Sequence, residues 1–227
     1  MLSCPLPSLP SLPSLPSRAP ASSSVPPSVT DARPRLILAS TSRYRRELLD
    51  RLRLPFEVIA PGLDEAHLPD EAPRTMAERL ALAKADTVAA QYADAVVIGS
   101  DQVAELDGQP IGKPHTHANA VAQLRAMSGR RVVFHTAVAV VRRDRGFARG
   151  LLAPVIVTFR SLDDPEIEHY LRIEQPYDCA GSAKSEGLGV ALLASIESDD
   201  PTALVGLPLI RTCTLLREAG LDPLAPR

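Results

Sequence analysis

From residue 35 onward, short apolar runs alternate with amphipathic stretches. That pattern predicts strands and helices in turn, followed by a hairpin. Leu36-Ile37-Leu38-Ala39 is a continuous apolar run suited to a buried strand. Ser40-Thr41-Ser42 favours a turn and a helix N-cap, and Leu48, Leu49 and Leu52 then recur at helical spacing with charge between them. Residues 56–60 alternate like a second strand and 61–65 read as a loop. Thr75 to Tyr92 is predicted as a helix capped by Thr75, with Glu78 at the capping-box position and Met76, Leu80, Ala83, Val88 and Ala89 as the apolar stripe. Lys84 then falls near the polar border of that helix, where a lysine is expected to be solvated. Ala95 to Gly99 is fully apolar, as in a sheet centre, and should deliver Ser100-Asp101-Gln102 at its carboxyl end.

The second half continues the mixture. Residues 109–114 read as a turn, and His117 to Met127 as a helix closed by Ser128-Gly129. Two hairpin strands are expected over 132–142 and 151–160, joined by a polar loop over 143–150. Asp163-Asp164-Pro165 caps a short helix through Arg172, and residues 179–189 form a glycine-rich loop. Residues 190–196 read as a strand. Asp199-Asp200-Pro201 caps a last helical region over 202–218, which Gly206 and Pro208 should interrupt. The expected fold is α/β, a mixed central sheet with flanking helices, over residues 33–227 with its elements ending near 224. Residues 1–32 are Pro/Ser/Leu-rich, with Leu-Pro-Ser repeats, and read as a disordered or polyproline-like tail lacking the basic start and unbroken apolar core of a secretory signal.

Composition narrows the function classes. A formal net charge of −2 argues neither for a nucleic-acid nor for a membrane-surface partner, and none is expected, so an anionic ligand needs a local site. Cys4, Cys179 and Cys213 form neither a disulfide framework nor a zinc pattern, and a reducing cytoplasmic compartment is expected. No apolar run is long enough to span a bilayer. The sequence does not fix the oligomeric state, and a homodimer stays open.

Candidate chemistry gathers at the strand ends. The strand-turn-helix over 35–54 would point backbone N–H groups and a positive helix end at a ligand, with Arg43, Arg45 and Arg46 as cationic forks. An anion site, for a nucleotide phosphate, is one reading; a capped surface helix is the other. Asp101 follows the most buried strand, where packing gives a carboxylate no reason to be. A carboxylate beside a phosphate site holds a divalent cation or activates water. Glu65 and Glu105 could add charge from nearby loops. Lys113, between Gly112 and Pro114, sits where a rigid backbone would fix a long cation.

Leu36 to Ser42, Ser100-Asp101-Gln102, Gly112-Lys113-Pro114, Gly181 to Gly187 and Asp199 to Leu209 together, in this order, resemble the Maf family of nucleoside triphosphate pyrophosphatases. The resemblance covers nearly everything after residue 34. It implies a mixed α/β fold with a central cleft, and hydrolysis of a nucleoside triphosphate to the monophosphate and pyrophosphate with a divalent cation, Mg or Mn. Asp101 matches the family's catalytic acidic residue, which is also expected at the metal with Glu65. Lys84 and Lys113 match catalytic cations, and Ser40 and Arg45 match substrate-binding positions. Tyr44, Gln102 and Glu186 are similar to the subgroup acting on 7-methyl-GTP, whereas the dTTP/UTP-type subgroup has Arg, Thr and Gln there. A cationic 7-methylguanine ring suits an aromatic face and a carboxylate acceptor. Two departures stand out: Arg43 replaces a usual proline, which would loosen the turn or add a phosphate contact, and Ala183 replaces a usual phenylalanine under the glycine-rich loop. The rivals are the dTTP/UTP activity, a non-catalytic nucleotide-binding regulator of cell division, and a tail acting as a partner-recognition segment.

Overall fold

A computed structural model describes residues 33–226. The expectations for residues 1–32 lie outside the described residues. All four side chains of Leu36–Ala39 (β1) are buried. Ser42 caps the helix Arg43–Asp50 (α1) through its hydroxyl, which accepts from the Arg45 amide. Glu57–Ile59 (β2) pairs parallel with β1. Pro73–Ala89 (α2) then leads to Val96–Leu106 (β3), Gln109–Ile111 (β4) and His117–Met127 (α3). Arg131–Arg142 (β5) and Phe147–Phe159 (β6) form a long hairpin. Asp164–Glu174 (α4), Leu193–Glu197 (β7) and Leu209–Glu218 (α5) complete the order. The sheet runs β2-β1-β3-β5-β6-β7, with β4 on β3; β1 is parallel to both its neighbours and every other pairing is antiparallel. The expected mixed sheet with flanking helices is what forms.

Several expectations are corrected. α2 begins at Pro73 with Ala72 as N-cap and no side-chain cap, so Thr75 lies inside the helix. Proline supplies the helical φ and lacks the N–H that a cap would serve. Ser100-Asp101-Gln102 lies in the middle of β3, because the strand runs on through Leu106 to pair with β4 and β5. Gln109–Ile111 is therefore a strand rather than a plain turn. The hairpin loop shrinks to a short 3-10 turn over Arg143–Arg145 closed by Gly146 at φ 60°, because pairing extends to Arg142–Phe147. β7 starts at Leu193, after a 3-10 turn over Leu188–Leu192.

Two layers of helix cover the sheet. On one face, α2 packs alone over Ile37, Val97, Val103, Ala137 and Ala139. On the other, α1 and α5 close a core around Leu38, Ile98 and Val140, while α3 and α4 close a second around Phe134, Val155 and Phe159. Ser100, Gln102 and Thr136 share this second face with the residues of both cores, because side chains alternate along β3 and β5.

The α2 contact is unusually close. Ala77, Ala81, Ala85 and Ala89 recur every fourth residue and are buried. They meet Gly99, where an added Cβ would overlap the Ala81 carbonyl and sit 2.5 Å from the Ala85 amide. Gly99→Ala must push helix and sheet apart, and is expected to destabilise the domain by about 3 kcal/mol. Urea unfolding would read this; an unchanged midpoint would show that α2 moves freely.

Candidate active site

β1 stops at Ala39, and pairing on that edge of β3 ends at Gly99. β4 takes up the same strand only from Ala104. Between them, residues 100–103 lie along a gap in the sheet, and a cleft of about 1000 Å³ opens over it. This volume is at the upper end for a ligand site and accommodates a nucleotide. Its lining includes Ser40, Tyr44, Arg45, Glu65, Lys84, Asp101, Gln102, Lys113 and Glu186. Glu105 is not among them: it lies 2.7 Å from the Nε2 of His135.

One wall is built from a buried cation. Lys84 falls in the middle of the buried face of α2, in register with Ala77, Ala81 and Ala85, so the expectation of a solvated lysine fails. The buried stripe is rotated from the Met76/Ala83 register: Ala77, Ala81 and Ala85 are buried with Leu80 and Val88, while Met76 and Ala83 are only half-buried. The Lys84 ammonium donates to Asp101 Oδ1 at 2.7 Å and to Glu65 Oε2 at 2.8 Å. Lys84 and Asp101 side chains are 5% and 9% exposed, so this pair lies largely out of water, while Glu65 is half exposed. Asp101 Oδ2 and Glu65 Oε1 take no hydrogen bond among the described residues. The loop bearing Glu65 is fixed from α2, where Arg79 donates to both oxygens of Glu71 and to the Ala66 carbonyl.

The hydroxyl-lined turn supplies the next wall. Ser40 is buried and its hydroxyl accepts from the Ser42 amide. Arg45 donates Nε to the Gly206 carbonyl at 2.9 Å, and its Nη groups have no partner among the described residues. Burial pushes the Arg45 guanidinium below its ordinary pKa, while the Asp101 and Glu65 carboxylates oppose this. A guanidinium keeps its charge regardless, so Arg45 is a half-buried cation with unused donors, suited to an anion. Lys113 is exposed and also without a partner among the described residues. The carbonyls flanking it are tied down by Gln123 and Asn119.

On the opposite sheet face Gln102 Nε2 donates toward Thr136 Oγ1, Ala203 O and Leu204 O at 2.9–3.0 Å. Thr136 in turn donates to Ala203 O. Carbonyls only accept, so the amide nitrogen must face them and Oε1 is left as an acceptor. Tyr44 carries its hydroxyl near Asp178 and Cys179. Arg43 turns toward Tyr44 rather than the phosphate wall: its guanidinium lies 4.7 Å from the Tyr44 ring centroid, donates to the Tyr44 hydroxyl and pairs with Asp178. Glu186 is exposed on the far rim. Ala183 packs against the α3/α4 core and also lines the cleft, so its smaller side chain enlarges this end.

Sequence reasoning missed the Gly206 carbonyl, which receives both Arg45 and Ser100, and the residues Asp178 and Cys179. Gly206 was marked only as a helix breaker within the Asp199 to Leu209 run and Cys179 only as the start of the glycine-rich loop; Asp178 carried no signal. No group of three or more His, Cys, Asp or Glu side chains converges among the described residues. Two carboxylates with open oxygens, Glu65 and Asp101, fit a magnesium-type cation, which takes one or two protein carboxylates and fills its sphere with phosphate and water.

Fold and cleft define an α/β protein with a phosphate-suited wall at one end and a polar, aromatic wall at the other. The chain belongs to the Maf-like protein family, which it matches over residues 35–219. It is 64% identical over 207 residues to the 7-methyl-GTP pyrophosphatase of Polaromonas sp., covering 91% of this chain and 94% of that one. It is 65% identical to the protein of that name from Albidiferax ferrireducens, covering 84% of this chain and 96% of the other. Against the Ralstonia nicotianae protein of that name identity is 58%, with 82% and 95% covered.

Cys179 lines the cleft with its thiol largely buried. Burial, first of all, holds its thiol at a pKa of about 11. A raised thiol pKa means the neutral form persists through pH 9. Iodoacetamide should therefore alkylate Cys179 several-fold more slowly at pH 8 than a free cysteine, with the rate climbing toward pH 11. Peptide mapping by mass spectrometry would follow this, and rapid labelling at pH 8 would contradict the burial argument.

Proposed function

We propose that this protein hydrolyses 7-methyl-GTP to the monophosphate and pyrophosphate, removing a modified nucleotide from the cytoplasmic pool. The observation that carries the proposal is a single cleft lined by both residue sets. Asp101, Lys84, Glu65, Arg45 and Lys113 suit a triphosphate; Tyr44, Gln102 and Glu186 suit a cationic purine. The names of the relatives at 58–65% identity agree with it.

Water attacks the α-phosphorus in line, the bond from that phosphorus to the bridging oxygen breaks, and pyrophosphate leaves. Asp101 Oδ2, the oxygen not engaged by Lys84, accepts the water's proton or helps hold the cation. Lys84, Lys113 and the free Nη groups of Arg45 balance charge on the phosphates, which is most of what a protein contributes to such a transfer. The Ser40 turn adds the free N–H groups of the α1 terminus. Glu65 and Asp101 would hold a divalent cation, which supplies Lewis-acid polarisation of the phosphate oxygens.

At the other end, Tyr44 would offer its ring to the cationic base. The Arg43 guanidinium, 4.7 Å from the ring centroid, is a cation already held against this ring. Gln102 Oε1 and the Glu186 carboxylate would accept from the guanine N–H groups, bonds that gain from the base's positive charge.

Pyrophosphate release with Mg or Mn is expected to favour 7-methyl-GTP over GTP, dTTP and UTP. Glu186→Gln should reduce the preference over GTP by roughly tenfold, the value of one charge-assisted hydrogen bond. Preference for dTTP or UTP would keep the reaction and discard the base assignment. No release with any substrate would leave nucleotide binding alone.

Asp101→Asn should lower kcat by at least about a hundredfold while the chain still folds, at a stability cost of about 3 kcal/mol from leaving the buried Lys84 with Glu65 alone. Lys84→Met removes the counter-charge of a buried carboxylate and should also cost about 3 kcal/mol of stability. Steady-state kinetics and urea unfolding of the two variants would separate these effects; near-native turnover by Asp101→Asn would remove Asp101 from the chemistry.

A further inference from the structure

The turn that carries Glu186 is built around a carboxylate from another element. Glu174 is the last residue of α4. Its Oε1 accepts from the Lys184 ammonium at 2.5 Å, and its Oε2 accepts from the Leu188 amide at 2.8 Å. Its side chain is only 12% exposed. The Gly187 amide donates back to the Lys184 carbonyl, so Lys184 to Gly187 is a tight turn with Ser185 and Glu186 at its tip. A Cβ at Gly187 would lie 2.6 Å from Glu174 Oε2, so any side chain there would displace the carboxylate. Its φ of −126° is open to any residue.

One turn earlier on the same helix face, Tyr170 makes the companion contacts. Its hydroxyl donates to the Ser182 carbonyl and accepts from the Lys184 amide. α4 therefore grips the loop on both sides of Glu186, and among the described residues it makes no hydrogen bond to Ser40, Arg45, Lys84, Asp101 or Lys113.

The grip has an electrostatic consequence. Lys184 stands two residues from Glu186, close enough for the two charges to act on each other. With Glu174 in place, the Lys184 ammonium is drawn onto α4, and Glu186 takes no hydrogen bond or ion pair among the described residues. Without that carboxylate, the nearest counter-charge for Lys184 is Glu186 itself. A cation paired with Glu186 would cancel the charge that favours a cationic base.

We infer that Glu174 is a positioning residue for base selection: it fixes the 184–188 turn and keeps the Lys184 ammonium off Glu186, leaving that carboxylate free for the cationic ring. The inference rests on the proposed role of Glu186. Its test is the ratio of kcat/KM for 7-methyl-GTP to that for GTP, measured on the full chain with Mg. Glu174→Gln should lower the ratio by roughly tenfold through a higher KM for 7-methyl-GTP, while kcat on GTP stays within about twofold. The double variant Glu174→Gln, Lys184→Met should recover most of the ratio, because no ammonium remains to cover Glu186. A general loosening of the loop would not be rescued this way. Gly187→Ala displaces the carboxylate without changing any charge and should lower the ratio too, which provides a second route if Glu174→Gln folds poorly. An unchanged ratio in the folded variants, or no recovery in the double variant, overturns the inference. Glu186→Gln distinguishes the two failures: if it lowers the ratio and Glu174→Gln does not, only the role of Glu174 falls. If Glu186→Gln changes nothing, the base assignment falls and this inference with it.

Discussion

Lys84 places a full positive charge inside the protein, and two carboxylates make that tolerable. Removing an ammonium from water costs several kcal/mol, and only close, well-formed partners offset it. Asp101 at 2.7 Å and Glu65 at 2.8 Å provide them. The arrangement depends on how near α2 lies to β3, which in turn depends on the Ala77/81/85/89 face and on Gly99. It also depends on β3 outrunning β1, because Asp101 would otherwise lie against another strand rather than on the cleft. One buried ion pair thus constrains a helix, a strand edge and a loop.

The two faces of β3 carry different chemistry. Alternation sends Asp101 toward α2 and Gln102 toward the seam between the other two cores. There the polar side chains are satisfied by carbonyls of residues 203–206. The Gly206 carbonyl receives Arg45 from α1 and Ser100 from β3, so the irregular segment before α5 ties the phosphate wall to the sheet. The interruption of the last helical region by Gly206 and Pro208 leaves these carbonyls free to receive those side chains: a continuous helix would have consumed the carbonyls internally.

Charge is spread across the cleft in a graded way. The phosphate wall has Arg45 and Lys113 with unused donors beside a pre-paired Lys84, whereas the far rim presents Glu186 with its nearby lysine held elsewhere. A substrate with a strongly negative tail and a positive ring would match both ends at once. Preorganisation of this kind avoids rearranging charge when the ligand arrives.

Much of this was determined by the sequence alone. Apolar runs, capping residues and glycine or proline breaks placed β1, α1, α3, α4 and the interrupted α5 region, since those signals are local. The resemblance of five short segments pointed to the residues that now line one cleft. What the tertiary structure decided were quantities that depend on two distant segments meeting. Periodicity put Lys84 at a polar border, but packing of small side chains against Gly99 turned it inward. Asp101 read as a strand terminus, but pairing with β5 carried the strand past it. The partners of Arg43, Glu174 and the Gly206 carbonyl could not be read locally, because they lie 10 to 161 residues away or on a ring whose orientation only the fold sets. Local patterns fix which segments form; the positions of charges within them are settled by which neighbours remove them from water.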